Sequence, residues 1–429
     1  MNIAAAGRLD WSSIVRSGDH VVCSHMTAEP VALLRALAAS KAQDGRLDLF
    51  LGVPFSEAAS EFPAATRFTT FGAMGSAGAL SRGHATRLSG AHYSRCGDAF
   101  AAGAERADVV LVSLARGADG ALCLGASHGF ALDAAARART VVAEINASAP
   151  AVLGAPWPDE IAIAHAVEVD YPIAVAASPR VSEVERAIAS HVAALVEDGA
   201  CMQVGIGSLA SAVVEGLRAH RFLGIHSGMM TPALQRLVEL GAVDNSRKEI
   251  DRGVSVTACV YGDAALYAAA AGNPALRLRE PRYTHGAGVI GSLGGFVALN
   301  SALEVDLLGQ ANAEATAGSD GRLRQVGGVG GLNDFVRGAR ASAGGRAIIA
   351  LPSRQAVGGG GSGAARIVAR LSGPGTVAAA DADVVVTEHG VAELRHASSD
   401  ERARRLIAVA HPEDRDDLTA AARRLGVFA

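Results

Sequence analysis

Short aliphatic runs alternate with alanine-rich segments along the whole chain, and this alternation restricts the fold more than any other feature. HVVCSH (20–25), ADVVLVSL (107–114) and TVVAEI (140–145) have the composition of strands, and EPVALLRALAAS (29–40) and GFALDAAARA (129–138) that of helices. A second series runs MQVGIG (202–207), SAVVEGLRAH (211–220), FLGIHS (222–227), PALQRLVELG (232–241), SVTACVYG (255–262), GFVALNSALEVDLLG (295–309), AIIALPS (347–353) and ADVVVTEHG (382–390). Strands that are apolar on both faces and separated by helices build mainly parallel sheets covered on both sides. The fold class expected is therefore α/β. At 429 residues the chain has room for more than one such domain. The joint falls near DYPIAVAASPRVSEVE (170–185), where an extended, proline-punctuated stretch leads into a fresh helix. It divides the chain into a first α/β domain at 1–178 and a second at 179–429. The run GGGGSG (358–363) is too flexible for a sheet core and reads as an exposed loop.

Composition removes several function classes. Half of the residues are hydrophobic, which excludes a mostly disordered chain. The 50 glycines lie in clusters without G-x-y periodicity, which excludes collagen. A net charge of −4 and 4% aromatic residues argue against nucleic-acid binding, which needs basic grooves and stacking platforms. Arg8 and Asp10 interrupt the N-terminal stretch, so no secretory leader is expected there and a cytoplasmic location is. Tyr283–Leu303 is free of Asp, Glu, Lys and Arg, yet it carries Thr284, His285, Ser292, Asn300 and five glycines. It is expected to form a buried strand flanked by glycine turns, not a membrane span. Cys23, Cys96, Cys123, Cys201 and Cys259 are isolated, without a C-x-x-C pair, and suit buried thiols better than disulfides or a metal site.

Two glycine clusters carry the chemical signal. Gly205 and Gly207 follow an apolar run and precede a helix, and with Ala210 they match G-x-G-x-x-G/A. The acid that should end the next strand of a dinucleotide site is replaced by His226-Ser227-Gly228. The second cluster is Gly327-Gly328-Val329-Gly330-Gly331, followed by Leu332-Asn333-Asp334-Phe335, with no Lys-Ser/Thr to make a P-loop. Adjacent glycines let backbone N–H groups approach a thioester oxygen or a phosphate that any Cβ would keep away. A tight sheet-to-helix turn explains them equally well.

Several blocks, in order, resemble the acetyl-CoA hydrolase/CoA-transferase family of the 4-hydroxybutyrate CoA-transferase type. They are 18–37, 204–217, 222–243, 300–314, GVGGLNDFVRGA (328–339) and the tail 384–414 with its His411-Pro412. The resemblance implies tandem α/β domains of the NagB-like kind with a cleft between them, a homodimer, a coenzyme A thioester as substrate and no metal. It also implies a ping-pong cycle in which a glutamate attacks the acyl-CoA, becoming first an anhydride and then an enzyme–CoA thioester. That glutamate belongs to a G-[IV]-H-[ST]-E-M block, which here reads Gly224-Ile225-His226-Ser227-Gly228-Met229, with glycine in the nucleophile's place. The family's Asn-His-Pro triplet aligns with Thr284-His285-Gly286, where a threonine hydroxyl replaces the amide that polarises the thioester carbonyl.

Other groups are candidate substitutes for the missing carboxylate. Glu304 and Asp306 share a strand face and read as scaffold; Glu29 reads as a helix N-terminal charge; Glu388 and His389 are candidates for lining the site. Cys259 reads as core, and Ser227 as a nucleophile without a visible orienting acid. Arg337, Arg340, Arg346, Arg354 and Arg366 surround the glycine loops and are candidates for CoA phosphates or a solvated surface. The reading is an acyl-CoA enzyme that transfers the acyl group directly or hydrolyses the thioester. Its catalytic candidates are His226, Gly228, Thr284 and His285, with His226 or His285 as the base; its ligand-binding candidates are Gly205, Gly207, Gly328, Val329, Gly330 and Gly331. Ordinary CoA transfer between carboxylates and a catalytically inactive CoA-binding homologue are the alternatives. Restoring Gly228→Glu is expected to create transferase activity if the rest of the site is intact.

Overall fold

The computed structural model describes residues 2–4, 9–40, 47–177, 180–318, 320–356 and 362–428. The chain forms two compact units: Met1–Ala177 with Met229–Pro232 and Val256–Thr284, and Ser178–Gly228 with Ala233–Ser255 and His285–Ala429. Two segments that follow residue 178 in sequence thus pack with the first unit.

The first unit is built on a parallel sheet. Its strands lie in the order Asn2–Ala4, His165–Val169, Thr140–Asn146, Val109–Arg116, His20–Cys23, Asp48–Gly52, Arg67–Thr70 and Ala85–Leu88. Val109–Arg116 is buried at every position except Arg116, as a central strand covered on both faces must be. Trp11, Leu33, Leu34, Leu37, Leu49 and Phe68 pack into one core cluster. Phe50, Phe100 and Phe130 pack together elsewhere in the unit, with ring centroids 5.0–5.5 Å apart. Burying each such ring stabilises the fold by roughly 1.5–3 kcal/mol. Successive strands grow outward from His20–Cys23 on one side and then from Val109–Arg116 on the other. Their carboxyl ends therefore flank a topological switch point, and His25 follows the first of them.

The second unit repeats the plan. Gly224–Met230, Cys201–Val204, Val297–Asn300, Arg346–Ala350 and Val384–Thr387 run parallel in that order, and Gly390–Glu393 closes the edge antiparallel. Here the switch point lies between Cys201–Val204 and Val297–Asn300, where the side-chain amides of Gln203 and Asn300 exchange hydrogen bonds of 3.2 and 3.1 Å. Ile290, Phe296, Phe335, Ile349 and Leu406 belong to the core of this unit. The helix Glu183–Ala193 that leads in is started by a capping box between Ser182 and Glu185.

Three expected elements differ. Tyr283–Leu303 is not one buried strand: Pro281–Thr284 and Ala287–Gly291 are short helices, and only Val297–Asn300 is extended. Pro281, with φ set for a first helical turn, starts the first of them. The run 295–309 is two strands, Val297–Asn300 and Glu304–Asp306, the second pairing with Ala311–Asn312 and Ile367–Val368 in a small separate sheet. The helix in 129–138 is confined to Ala131–Ala135; Gly129, with a left-handed φ of 57°, keeps it from starting at 129. Of the run 358–363, positions 358–361 lie outside the described residues, and Ser362 and Gly363 begin the strand Ser362–Ala365. Among the described residues no helix is long and apolar enough to cross a membrane.

Candidate active site

The strand Gly224–Met230 carries His226 and Gly228, two residues apart and so on one face. The peptide before His226 is clamped on both sides. The Ile225 N–H donates to Asn245 Oδ1 at 2.8 Å, and the Ile225 carbonyl accepts from Lys248 Nζ at 3.1 Å. Lys248 is buried, also donates to the Val254 carbonyl at 2.7 Å, and is pushed below the usual lysine range by its burial. His226 is fully buried. So is Ser227, which points the other way, its hydroxyl 3.5 Å from the Val204 carbonyl. Ser227 is therefore part of the strand packing and not an acyl acceptor.

His285 completes the site. It is 4% exposed and lies directly on two stretches of backbone. A Cβ at Gly228 would stand 2.8 Å from its Nε2 and 3.2 Å from Cε1. A Cβ at Gly331 would stand 2.4 Å from its Cδ2 and 2.7 Å from Nε2. The ring tilts against Phe335, centroids 4.6 Å apart, and Phe335 stacks in turn on Phe296 at 6.4 Å. Burial, aided by the neighbouring His226, pushes the His285 pKa down from 6.5 to about 3, so the imidazole is neutral at any ordinary pH. Three of the residues singled out from separate motifs, Gly228, His285 and Gly331, are thus brought into one contact. Phe335, which supports the ring, was legible only as a member of the G-x-x-D-F block.

The glycine loop ends at this contact. Gly330 takes a left-handed φ of 53°, and Gly331 caps the helix Leu332–Ala341 without a side-chain bond. Among the described residues no hydrogen bond is made by the N–H groups of Gly328, Val329, Gly330 or Gly331. The loop therefore presents backbone donors at a helix N-terminus. The other cluster is more tightly committed. Gly205 spends its N–H on the Leu299 carbonyl at 2.9 Å, while Gly207, with φ 111°, turns the chain into the helix Ser208–Gly216. Gly205 and Gly207 stand at the carboxyl end of the parallel strand Cys201–Val204, where open α/β sheets hold their ligands, whereas the loop 327–331 joins Leu323–Gln325, paired antiparallel with Ala315–Ala317, to the helix Leu332–Ala341.

The remaining candidates go to the scaffold. Thr284, in the first unit, is fully buried and donates its hydroxyl proton to the Glu280 carbonyl at 3.3 Å. Glu304 accepts from Asn312, Ser372 and Gly373, and Asp306 from Leu308 and Gln310. Glu388 accepts from the Ser353 N–H and hydroxyl at 2.8 and 2.6 Å, with His389 beside it at 3.6 Å. Glu29 is not a helix N-terminal charge: it accepts from the N–H groups of Phe55 and Ser56 at 2.8 and 2.7 Å. The helix Val31–Ala38 is instead met by Glu144, which accepts from Ala32 and Leu33 at 3.0 and 3.1 Å. Cys259 is core, its thiol 3.4 Å from the Thr27 hydroxyl. Arg337, Arg346 and Arg354 pair with Asp381, Glu393 and Glu413, and Arg340 donates to the Ala382 carbonyl. Burial pushes Arg366 below its ordinary range. Among the described residues no group of three or more His, Cys, Asp or Glu side chains is placed to hold a metal ion.

The chain is an α/β protein in which the N–H groups of a glycine loop at a helix N-terminus lie beside a buried neutral histidine. The C-terminal domain of acetyl-CoA hydrolases/transferases matches residues 262–422. The 4-hydroxybutyrate coenzyme A transferase of Clostridium kluyveri is 36% identical over 315 residues, 72% of this chain and 71% of that protein. Among solved structures, RipA from Yersinia pestis covers 99% of the chain and is 29% identical over 98% of its own length with a TM-score of 0.87, and a 4-hydroxybutyrate CoA-transferase from Porphyromonas gingivalis covers 99% of the chain and is 29% identical over 97% of its own with a TM-score of 0.80. The chain belongs to the acetyl-CoA hydrolase/transferase family, and its class of enzyme is transferase or hydrolase.

Proposed function

We propose that this protein acts on acyl-CoA thioesters by passing the acyl group directly to water or another acceptor, without forming a CoA thioester on the enzyme. Position 228 carries this reading. The family's glutamate block has glycine there, and the His285 ring lies against that glycine's backbone. The candidate substitute carboxylates, Glu29, Glu304, Asp306 and Glu388, each accept two or more hydrogen bonds from the scaffold. A carboxylate so engaged is a poor nucleophile.

In this reading attack on the thioester carbonyl places negative charge on its oxygen, which the N–H groups of Gly328–Gly331 stabilise. One donor of this kind is typically worth about 3 kcal/mol. The C–S bond then breaks, CoA leaves as thiolate, and the acyl carbon keeps the oxygen of water, whose proton passes to the thiolate or to solvent. A base that titrates near 3 abstracts a proton poorly at neutral pH, so His285 orients the attacking group and shapes its space, with His226 behind it and Thr284 ending the preceding helix. The turn at Gly205 and Gly207, opening the helix Ser208–Gly216, suits an anionic part of CoA. Asn333, buried and with its Oδ1 accepting no hydrogen bond among the described residues, is a further polar group a ligand could satisfy.

The test is intact-protein mass spectrometry together with product analysis after incubation with acetyl-, butyryl- and succinyl-CoA. Free CoA released without any carboxylate acceptor, and no CoA-sized adduct on the enzyme, is the expected result. The second reading, CoA transfer between carboxylates, is favoured by the name of the 36%-identical relative. An enzyme-bound CoA thioester, or exchange of labelled CoA through one, would establish it in place of the first.

A further inference from the structure

Of the 39 lysine and arginine residues only two are lysine, at 41 and 248, so arginine is the ordinary basic residue of this chain. Lys248 is nonetheless lysine, 2% exposed, and bonded to main-chain carbonyls. We infer that Lys248 is a positioning residue for acyl-CoA chemistry: it fixes the strand that presents His226 and position 228, and the site requires lysine there, not arginine. This role rests on the reading that acyl-CoA is handled at that strand, and it is the same whichever acceptor takes the acyl group.

The amine of Lys248 ties two segments together. It donates to the Ile225 carbonyl at 3.1 Å, inside the strand Gly224–Met230, and to the Val254 carbonyl at 2.7 Å, just before the strand Ser255–Val260. Asn245 makes the matching link, accepting the Ile225 N–H at 2.8 Å and donating from Nδ2 to Ser255 Oγ at 3.1 Å. The stem of the lysine is admitted by a glycine. A Cβ at Gly224 would stand 2.8 Å from Lys248 Cγ and 3.1 Å from Cδ, with Cys201 Sγ at 3.3 Å. Gly224 is absent from the left-handed positions, so its backbone does not call for glycine; the passing stem does. A guanidinium is planar, wider, and carries five N–H donors. Two carbonyls would leave most of those donors buried without a partner.

The Ile225 carbonyl belongs to the peptide that continues into His226, so its position sets His226 and, two residues on, position 228. A misplacement of about 1 Å in a group that supports the reacting atoms can cost about 100-fold in rate. The donors proposed to hold the ligand, the N–H groups of Gly328–Gly331, lie on another segment and do not depend on Lys248. Loss of its two hydrogen bonds should therefore fall on kcat and spare KM.

The test uses the full chain, with acetyl-CoA turnover expressed per CoA-binding site counted by calorimetry, and amide hydrogen exchange beside it. Lys248→Met, which keeps the stem and loses the donors, is expected to lower kcat about tenfold or more and to leave KM within about twofold. Lys248→Arg is expected not to restore kcat. Exchange at 224–228 should quicken, and exchange in Arg346–Ala350 should not change. A merely structural role gives fewer folded, CoA-binding molecules with kcat per site unchanged; that result overturns the proposal, as does an unaltered kcat in Lys248→Arg. If Lys248→Met does not fold, Gly224→Ala, which crowds the stem and keeps the amine, is read in its place. A fall in kcat with KM held then supports the role, and an unaltered kcat overturns it. The unaltered protein tests the underlying reading separately. If it turns over acyl-CoA only with a carboxylate acceptor, the same comparison is made on that transfer. If it turns over no acyl-CoA, that reading fails, and exchange at 224–228 alone decides whether Lys248 fixes the strand.

Discussion

Each unit buries one histidine in the same manner. In the first, His25 lies where a Cβ at Gly52 would be 2.7 Å from its Nδ1 and one at Gly129 2.3 Å from its Nε2, with Phe130 tilted against it at 4.8 Å. In the second, Gly228, Gly331 and Phe335 enclose His285 with nearly the same spacing and the same 53° tilt. Burial, with a second histidine close by, pushes both rings down to a pKa of about 3. The nests differ in what requires their glycines. Gly52 and Gly129 have φ of 65° and 57°, so backbone and ring both exclude a side chain, and Tyr93 holds the ring at 3.0 Å. Gly228 and Gly331 are outside the left-handed region, so the ring alone excludes one. The first nest is closed by the fold itself. The second depends on a single side chain, and it is the one that borders the unspent donors of the glycine loop.

The largest effect is expected where the two requirements add. Gly129→Ala places a methyl against the ring and an alanine at φ 57°. Overpacking of about 1–3 kcal/mol and left-handed strain of about 1 kcal/mol together give roughly 2–4 kcal/mol of destabilisation by urea unfolding. In a His25→Ala background about 1 kcal/mol should remain. Complete recovery there would erase the distinction between the nests. Gly331→Ala is expected to be milder, about 1–3 kcal/mol, and to become nearly neutral when His285→Ala removes the ring. A residual penalty equal to that at Gly129 would show that backbone strain, not the imidazole, governs the second nest.

Acid should report on both nests with one sign. Each histidine has a folded pKa of about 3, against 6.5 when unhindered, so the unfolded chain binds the extra proton between those values. Stability from each neutral ring is therefore complete above about pH 6.5, declines as pH falls through that window, and is gone below about 3. Between pH 6.5 and 5 the loss is about 1–2 kcal/mol per ring. His25→Ala and His285→Ala, whatever they do to absolute stability, should each make the slope of stability against pH shallower there. Glu144 bends the curve the other way. Burial raises its pKa to about 7, so it favours the fold at lower pH and loses that contribution as pH rises from about 4.5 to 7. Glu144→Gln should remove this opposing limb and leave the histidine limb steeper.

The two units were legible in the chain to different depths. Alternating aliphatic and alanine-rich runs suffice for parallel sheets, because a strand buried on both faces leaves a continuous apolar signature, as Val109–Arg116 does. The same reasoning misplaced Tyr283–Leu303, since short apolar helices and buried strands are alike in composition at that length. Gly228 could be singled out because a block pattern marks its position. The contact that gives it meaning could not, because His285 and Gly331 reach it from distant segments and nothing local to any of the three encodes their approach. Glu29 and Glu144 make the same point: the carboxylate at the start of Val31–Ala38 comes from another strand, while the one adjacent in sequence turns to the Phe55–Ser56 loop.

The smallest effects are expected from Arg337, within the helix Leu332–Ala341, and Arg346, at the amino end of the strand Arg346–Ala350, and they sharpen what is distinctive about the second nest. If ligand handling in that nest rests on backbone donors, these two arginines are surface pairs only. Arg337 meets Asp381 at 3.2 Å and Arg346 meets Glu393 at 2.8 Å, with every partner partly exposed. Exposed pairs of this kind contribute about 0–1 kcal/mol. Arg337→Ala and Arg346→Ala should therefore change stability by less than about 1 kcal/mol and leave KM for acetyl-CoA within about twofold, since a tenfold change corresponds to about 1.4 kcal/mol of binding. Either substitution raising KM tenfold would mean that its guanidinium exchanges its acid for a CoA phosphate when the substrate arrives. The site would then be electrostatic as well as backbone-built, and the contrast between the two nests would extend from packing to charge.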